Sequence, residues 1–218
     1  MARSPEVEDE HINKAIDGLQ TLFDDKSIPR GASRCTLRAR TVSADDGRTG
    51  WCVDRRSCDS QRLYARAAAE RGLPLLYSAD STSDELPFWL PSPLADEGKD
   101  DQGLLIVPYQ NDTSDAKFTV KGGGWATPKD FYTYLVDTFD VLYEEGQEGE
   151  PKMMSIMLHP HIVGHPNRTI YLEKFIDYIK SKQDVWIATR EDIAKHWAQT
   201  FPYDPKTCFG RTKQVPCA

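Results

Sequence analysis

Ile12, Ile16, Leu19, Leu22 and Phe23 fall on one face of a 3.6-residue period, so the spacing predicts an amphipathic helix over residues 8–24. The breaker cluster Ser27-Ile28-Pro29-Arg30-Gly31 stops it. The run that follows, GASRCTLRARTVSADDGRTG, has no apolar periodicity and reads as a long loop. Compact domains seldom carry a structureless connection of about twenty residues. Residues 31–49 are therefore expected to be a disordered insert.

From Ser57 the pattern tightens. Leu63, Tyr64, Ala67 and Ala68 predict a helix closed by Gly72, and Leu73 to Tyr77 reads as a short buried strand. Leu104 to Tyr109, Met153 to Leu158 and Val185 to Ala188 are three more short apolar runs with the character of buried strands. Thr127 followed by Pro128 is an N-cap with proline at the first helical position. Phe131, Leu135, Phe139 and Leu142 carry that helix to Gly146. Leu172, Phe175, Ile176 and Ile179 mark another, and a last helix follows Thr189 and ends near Trp197. Strands alternating with helices indicate an α/β protein with parallel pairing. In such folds chemistry gathers where strands end and loops begin. That rule selects the segments after Tyr77, Tyr109 and Leu158.

Composition narrows the partners. The chain has 218 residues, 39% hydrophobic and 28% charged, which suits a single domain with a real core. Its net charge of -7 argues against nucleic acid or an anionic membrane as partner. No apolar run is long enough to span a bilayer, and the polar, acidic start MARSPEVEDEHI is unlike a secretory leader, so a cytoplasmic protein is expected. The five cysteines (Cys35, Cys52, Cys58, Cys208, Cys217) form no CxxC pair and read as reduced thiols, with a Cys208–Cys217 bridge left open if oxidised. Their composition is compatible with an oligomer but does not require one.

Three places offer chemistry. After Tyr77 come Asp80, Asp84, Glu85 and then Trp89: an active-site carboxylate with an apolar wall for substrate, or an ordinary Asp/Ser turn. After Leu158 come His159, His161 and His165, three of the five histidines in the chain. Imidazole serves as a general acid or a metal ligand. The spacing i, i+2, i+6 on a Pro-rich loop is not an established ligand rhythm, which favours the acid with His161 as a substrate contact. Arg55 and Arg56 precede a helix, where a guanidinium can hold a carboxylate bidentately or simply be solvated. Asn111, Asp112 and Asp115 are polar loop residues that either touch substrate or turn the chain.

Taken in order, several segments resemble the polysaccharide deacetylase superfamily, in the branch that includes allantoinase-like and fungal chitin-deacetylase-like proteins. KMMSIMLHPHIVGHPNR and YLEKFIDYIKSKQDVWIATREDIAKHW resemble the branch's closing strand, catalytic loop and last strand–helix unit. YSADSTSDELPFWL resembles its aspartate loop, LLIVPYQNDTSDAKF and TPKDFYTYLVDTFDVLYEEG also fit, and IPRG resuming at GWCVDRRS resembles its arginine segment. The resemblance covers nearly the whole chain outside roughly residues 31–49 and the tail, residues 199–218.

The resemblance implies a hydrolase cleaving amide C–N bonds, usually removing acetyl from N-acetylated sugars such as chitin oligomers. An alternative inside the family is an allantoinase-like cyclic ureide hydrolase, and an alternative outside it a non-catalytic binding or antigenic protein. It places Arg55 on the family's arginine, Asp80 on the carboxylate that the arginine holds, and His159 on the general acid. The three are expected to converge. It also implies a divalent metal, zinc first among candidates, in the complete domain. The family's metal-binding aspartate and paired histidines lie on earlier strands, upstream of anything matching here. The expectation is thus an incomplete (β/α) deacetylase-type barrel spanning residues 1–218, its N-terminal strands missing, inactive and metal-free alone. Asp54 and Thr82 depart from the family's glycine and tyrosine at those positions.

Overall fold

Leu104, Leu105 and Ile106 have almost no exposed surface, which only a strand flanked on both edges and covered on both faces achieves. In the computed structural model of the chain they form β4, one of the two inner strands of a four-stranded sheet. The structure describes residues 6–7, 9–10, 12–14, 17, 31–32, 55–71, 75–79, 81–82, 84–98 and 103–206, with backbone only at 31–32 and 55–60. It divides into two units: residues 1–80, 88–107 and 190–213, and residues 81–87, 108–189 and 214–218.

The first unit holds the sheet, in the order β1 (Gly31–Ala32), β2 (Tyr77–Ser78), β4 (Leu104–Ile106), β3 (Phe88–Leu90). β1–β2 and β2–β4 are parallel, with Gly31 opposite Tyr77 and Ser78 opposite Ile106. β3 runs antiparallel to β4, Trp89 facing Leu105. The first two residues of the segment read as an insert are therefore in the sheet, and residues 33–49 lie outside the described residues. The Ser78 carbonyl continues the β2–β4 pairing by accepting from the Val107 amide at 2.9 Å. Arg190 donates to the Val107 carbonyl at 2.5 Å and fixes the strand's end.

Helix α1 (Arg55–Glu70) buries Ala67 and turns Arg62 and Arg66 toward Asp96 and Glu97 on a 3₁₀ turn at Ala95–Glu97. Its end is tied by Arg71 to Asn13 and Asp17, which are helical as the sequence predicts for that region. The chain's last described helix, Arg190–Thr200, runs one turn beyond Trp197. It ends as the Phe201 amide donates back to Trp197. The Phe201 carbonyl then accepts the Trp89 indole N–H at 2.6 Å, and the Tyr203 ring occupies the space that a Cβ on Gly103 would need.

The second unit is built on helices. α2 (Pro128–Gln147) starts on a complete capping box, Thr127 accepting from the Asp130 amide and Asp130 from the Thr127 amide. Phe131, Leu135 and Phe139, four residues apart, line one ridge and meet Phe175. Phe175 comes from the long helix Pro166–Lys180, and the short helix Pro160–Val163 precedes it. No helix of the described residues is long and apolar enough to cross a membrane.

Two runs that read as strands, residues 153–158 and 185–188, form no ladder among the described residues. In the first, a side chain replaces the missing neighbour. The Gln110 amide donates to the Met153 carbonyl at 3.1 Å and accepts the Ser155 amide at 2.7 Å, the pairing a strand would supply. Thr113 Oγ1 donates to the Ser155 carbonyl at 2.6 Å. The second run follows Asp184, whose φ of 60° turns the chain in the left-handed region. There Val185 joins the aromatic core while Trp186 and Ile187 remain more than half exposed.

Candidate active site

Among the described residues the second unit buries one ionisable pair, and it centres on His159. Pro160 at the first helical position starts the helix Pro160–Val163 immediately after His159, so His159 is the N-cap. Its carbonyl accepts the Ile162 and Val163 amides at 2.8 and 2.9 Å, yet its ring does not cap. The ring instead meets Asp115, which opens the 3₁₀ turn Asp115–Thr119 and has no exposed surface.

Asp115 is bound to the histidine strand-end at three points. Its Oδ1 lies 2.6 Å from His159 Nδ1, its Oδ2 accepts the His159 amide at 2.8 Å, and its own amide donates to the Met157 carbonyl at 3.1 Å. A carboxylate accepts only, so the contact assigns the Nδ1 proton to His159. The remaining ring nitrogen, Nε2, is buried and has no hydrogen-bond partner among the described residues. Buried polar atoms are seldom left so unless a ligand or reactant meets them. The arrangement fixes the tautomer, orients the ring and leaves one nitrogen for proton transfer.

Of the other expected site residues, His161 is exposed, its ring edge-on to His159 at 5.8 Å between centroids. His165 is an exposed N-cap of the helix Pro166–Lys180. Trp89, in the first unit, is half-buried with its indole N–H on Phe201 and its ring 5.6 Å from that of Tyr203. Asp80 and the side chain of Arg55 lie outside the described residues, so the expected Arg55–Asp80 contact does too. Among the described residues no three His, Cys, Asp or Glu side chains gather as a metal site. His159, His161 and His165 therefore do not fit a metal as a set.

Sequence reasoning named Asp115 only beside Asn111 and Asp112, as a loop residue that either touches substrate or turns the chain, and gave it no part with His159. The signal was present, since it sits in the loop following a parallel strand, as the selected positions do. What set it apart from Asp112, which is half-buried and accepts the Tyr134 hydroxyl at 2.9 Å, is burial against a partner 44 residues away.

No protein-family model matches the chain. A Schizosaccharomyces pombe protein described as "Putative polysaccharide deacetylase" is 40% identical over 201 residues, which is 91% of this chain and 57% of that protein. The crystal structure of Puue allantoinase superposes with a TM-score of 0.71 at 37% identity, covering 94% of this chain and 57% of that one. A probable polysaccharide deacetylase from Pseudomonas aeruginosa PAO1 gives a TM-score of 0.56 at 43% identity over 64% of this chain and 44% of that one. The chain that carries this buried histidine–carboxylate pair is thus similar, over more than nine-tenths of its length, to a protein described as a polysaccharide deacetylase and to an allantoinase. The chain belongs to the polysaccharide deacetylase superfamily. It spans a little over half, 57%, of the length of the curated relative it matches.

Proposed function

We propose that this chain supplies the proton-donating half of a site that hydrolyses an amide C–N bond, with N-acetylated sugars such as chitin oligomers as the substrate class. The observation that carries the reading is the buried Asp115–His159 pair with Nε2 left open. Water adds to the amide carbonyl and the C–N bond then breaks. The departing nitrogen needs a proton as it leaves, and His159, once protonated at Nε2 as the imidazolium, is the group oriented to give it. Asp115 stabilises the imidazolium from the Nδ1 side, as a carboxylate does behind any histidine acid. Arg55 and Asp80 are assigned the charge-tuning pair, and Trp89 and His161 the contacts to substrate, on the strength of the resemblance. A divalent metal would be held by ligands beyond the described residues and would activate the water.

A second reading, opening of a cyclic ureide, is supported by the 37% identity to Puue allantoinase across 94% of the chain. Both reactions release a nitrogen that must be protonated as the C–N bond breaks, so His159 has the same task in each. The test is a chimaera in which the N-terminal part of the S. pombe relative precedes this chain, assayed for acetate release from chitin oligomers and allantoate release from allantoin. The 218-residue chain alone is expected to show negligible turnover, and the chimaera to turn over one of the two. His159→Ala in the chimaera should then lower the rate by about 10²–10⁴-fold. Unchanged turnover after that substitution would end the proposal.

A further inference from the structure

The loop that delivers Asp115 closes on a tryptophan. Trp125 Nε1–H donates to the Ser114 carbonyl at 3.0 Å, and the Trp125 amide donates to the Lys117 carbonyl at 3.1 Å. The two accepting carbonyls lie on either side of Asp115. The Ser114 carbonyl and the Asp115 amide also belong to one peptide unit, and a peptide unit is planar and stiff. Trp125 holds that plane at its oxygen, while the Met157 carbonyl accepts at its nitrogen from the Asp115 amide at 3.1 Å. The orientation of Asp115 is therefore set by two bonds on opposite ends of one rigid group.

The tryptophan is itself held firmly. Its ring lies 5.6 Å from Phe131 and 5.0 Å from Tyr134, both on helix α2. Lys117 Nζ sits 4.9 Å from the indole centroid, a cation over the face of the ring. Gly124 has no room for a Cβ, which would collide with the Lys117 carbonyl, so only glycine lets the chain close here. The aromatic core thus reaches the buried carboxylate through a single indole N–H.

We infer that Trp125 is a positioning residue: it does not touch the reacting atoms but fixes the Asp115 carboxylate against His159 Nδ1. This rests on the reading of Asp115 and His159 as the working pair. The bland alternative is that Trp125 only fills the core beside Phe131. The two differ in what the N–H alone does, since packing is unchanged when the N–H is removed without changing the ring's shape.

The experiment is nuclear magnetic resonance of the ¹⁵N-labelled 218-residue chain, following the His159 ring nitrogens and the Nδ1 proton. Benzothienylalanine in place of Trp125 keeps the bicyclic shape and removes the donor, and Trp125→Phe removes both donor and bulk. Tyr134→Phe, which deletes a neighbouring hydroxyl bonded to Asp112, is the control. Loss of the indole donor should speed exchange of the His159 Nδ1 proton roughly five- to tenfold, as expected for releasing one buried hydrogen bond. The control should leave it unchanged. An unaltered rate with benzothienylalanine, alongside loss of the resonance in Asp115→Asn, would overturn the positioning role and leave the pair standing. Absence of the Nδ1 resonance in the unsubstituted chain, or its persistence in Asp115→Asn, would overturn the pair and this inference with it.

Discussion

In the second unit one helix face buries Phe131, Leu135 and Phe139 against Phe175, and a histidine–carboxylate pair is sealed into the same unit. The first unit holds strands of two or three residues among the described ones and secures its helix α1 through half-buried arginines whose carboxylate partners are open to water. The contrast is one of solvent. Where water is excluded, each lost contact leaves a cavity or an unpaired polar atom behind. Where charges stay wet, water replaces a lost partner at little cost. The pair assigned the proton transfer is the dry one, and it shares its unit with the aromatic core.

The largest effect is expected at the centre of the aromatic core. Phe131 is 1% exposed and touches the rings of both Phe118 and Trp125 at 5.6 Å. Phe131→Ala should destabilise the chain by about 3–5 kcal/mol, read from urea unfolding. A loss below about 1 kcal/mol would mean that this core relaxes freely, and the contrast between the units would fail.

Next comes the pair itself. Asp115→Ala removes the acceptor for both the His159 amide and its Nδ1–H, leaving two buried donors unpaired. A cost of about 3 kcal/mol is expected. Asp115→Asn should cost less and reverse the tautomer, because an amide nitrogen donates to Nδ1 and moves the ring proton to Nε2. The ring ¹⁵N shifts report this directly. An unchanged tautomer in Asp115→Asn would show that Asp115 does not set it.

How far these features could be read from sequence follows from how local they are. The helix at Pro128–Gln147 announces itself through Thr127, Pro128 and its apolar ridge, all within one segment, and the structure agrees nearly to the residue. β4 is equally legible because a run of Leu, Leu and Ile wants burial whatever its neighbours do. The strand Phe88–Leu90 was not foreseen, since its only claim to be a strand is β4 alongside it. Residues 153–158 failed the other way. Their apolar run is there, but a ladder needs a neighbour, and Gln110 stands in for one. His159 drew attention because a histidine cluster after an apolar run is visible in the sequence, whereas Asp115 gains its meaning only from a fold that joins positions 44 residues apart.

The Gln110 substitution for a strand gives an intermediate prediction. Gln110→Ala removes one donor and one acceptor from a half-buried backbone at Met153 and Ser155. A loss of about 1–2 kcal/mol is expected, with faster amide exchange at Ser155. Gln110→Glu keeps the acceptor and should protect the Ser155 amide while releasing the Met153 carbonyl. Equal exchange in both variants would show that the carboxamide is not acting as a strand.

The smallest effect belongs to the wet side of the comparison. Arg62 donates to Asp96 at 2.7 Å and Glu97 at 2.9 Å, and Arg66 donates to Glu97 at 2.5 Å. The hydrogen bond from Arg62 is the first cause holding Asp96 below its ordinary carboxylate value, while for Glu97 the first cause is Arg66. A carboxyl group whose folded pKa is depressed contributes stability above its unfolded pKa and loses it as pH falls through the folded value. The window therefore opens near pH 4 and extends downward. Arg62→Ala should flatten the acid limb of the melting temperature through Asp96 and leave most of the Glu97 contribution, with Arg66→Ala doing the reverse. The difference from the unsubstituted chain should be small even at neutral pH, where it is largest, and should vanish in acid, and added salt should shrink it. The measurement is melting temperature against pH at low and high salt. A large loss at neutral pH that salt does not reduce would show these arginines to be structural in the way Phe131 is, and the division between a dry unit and a wet one would have to be given up.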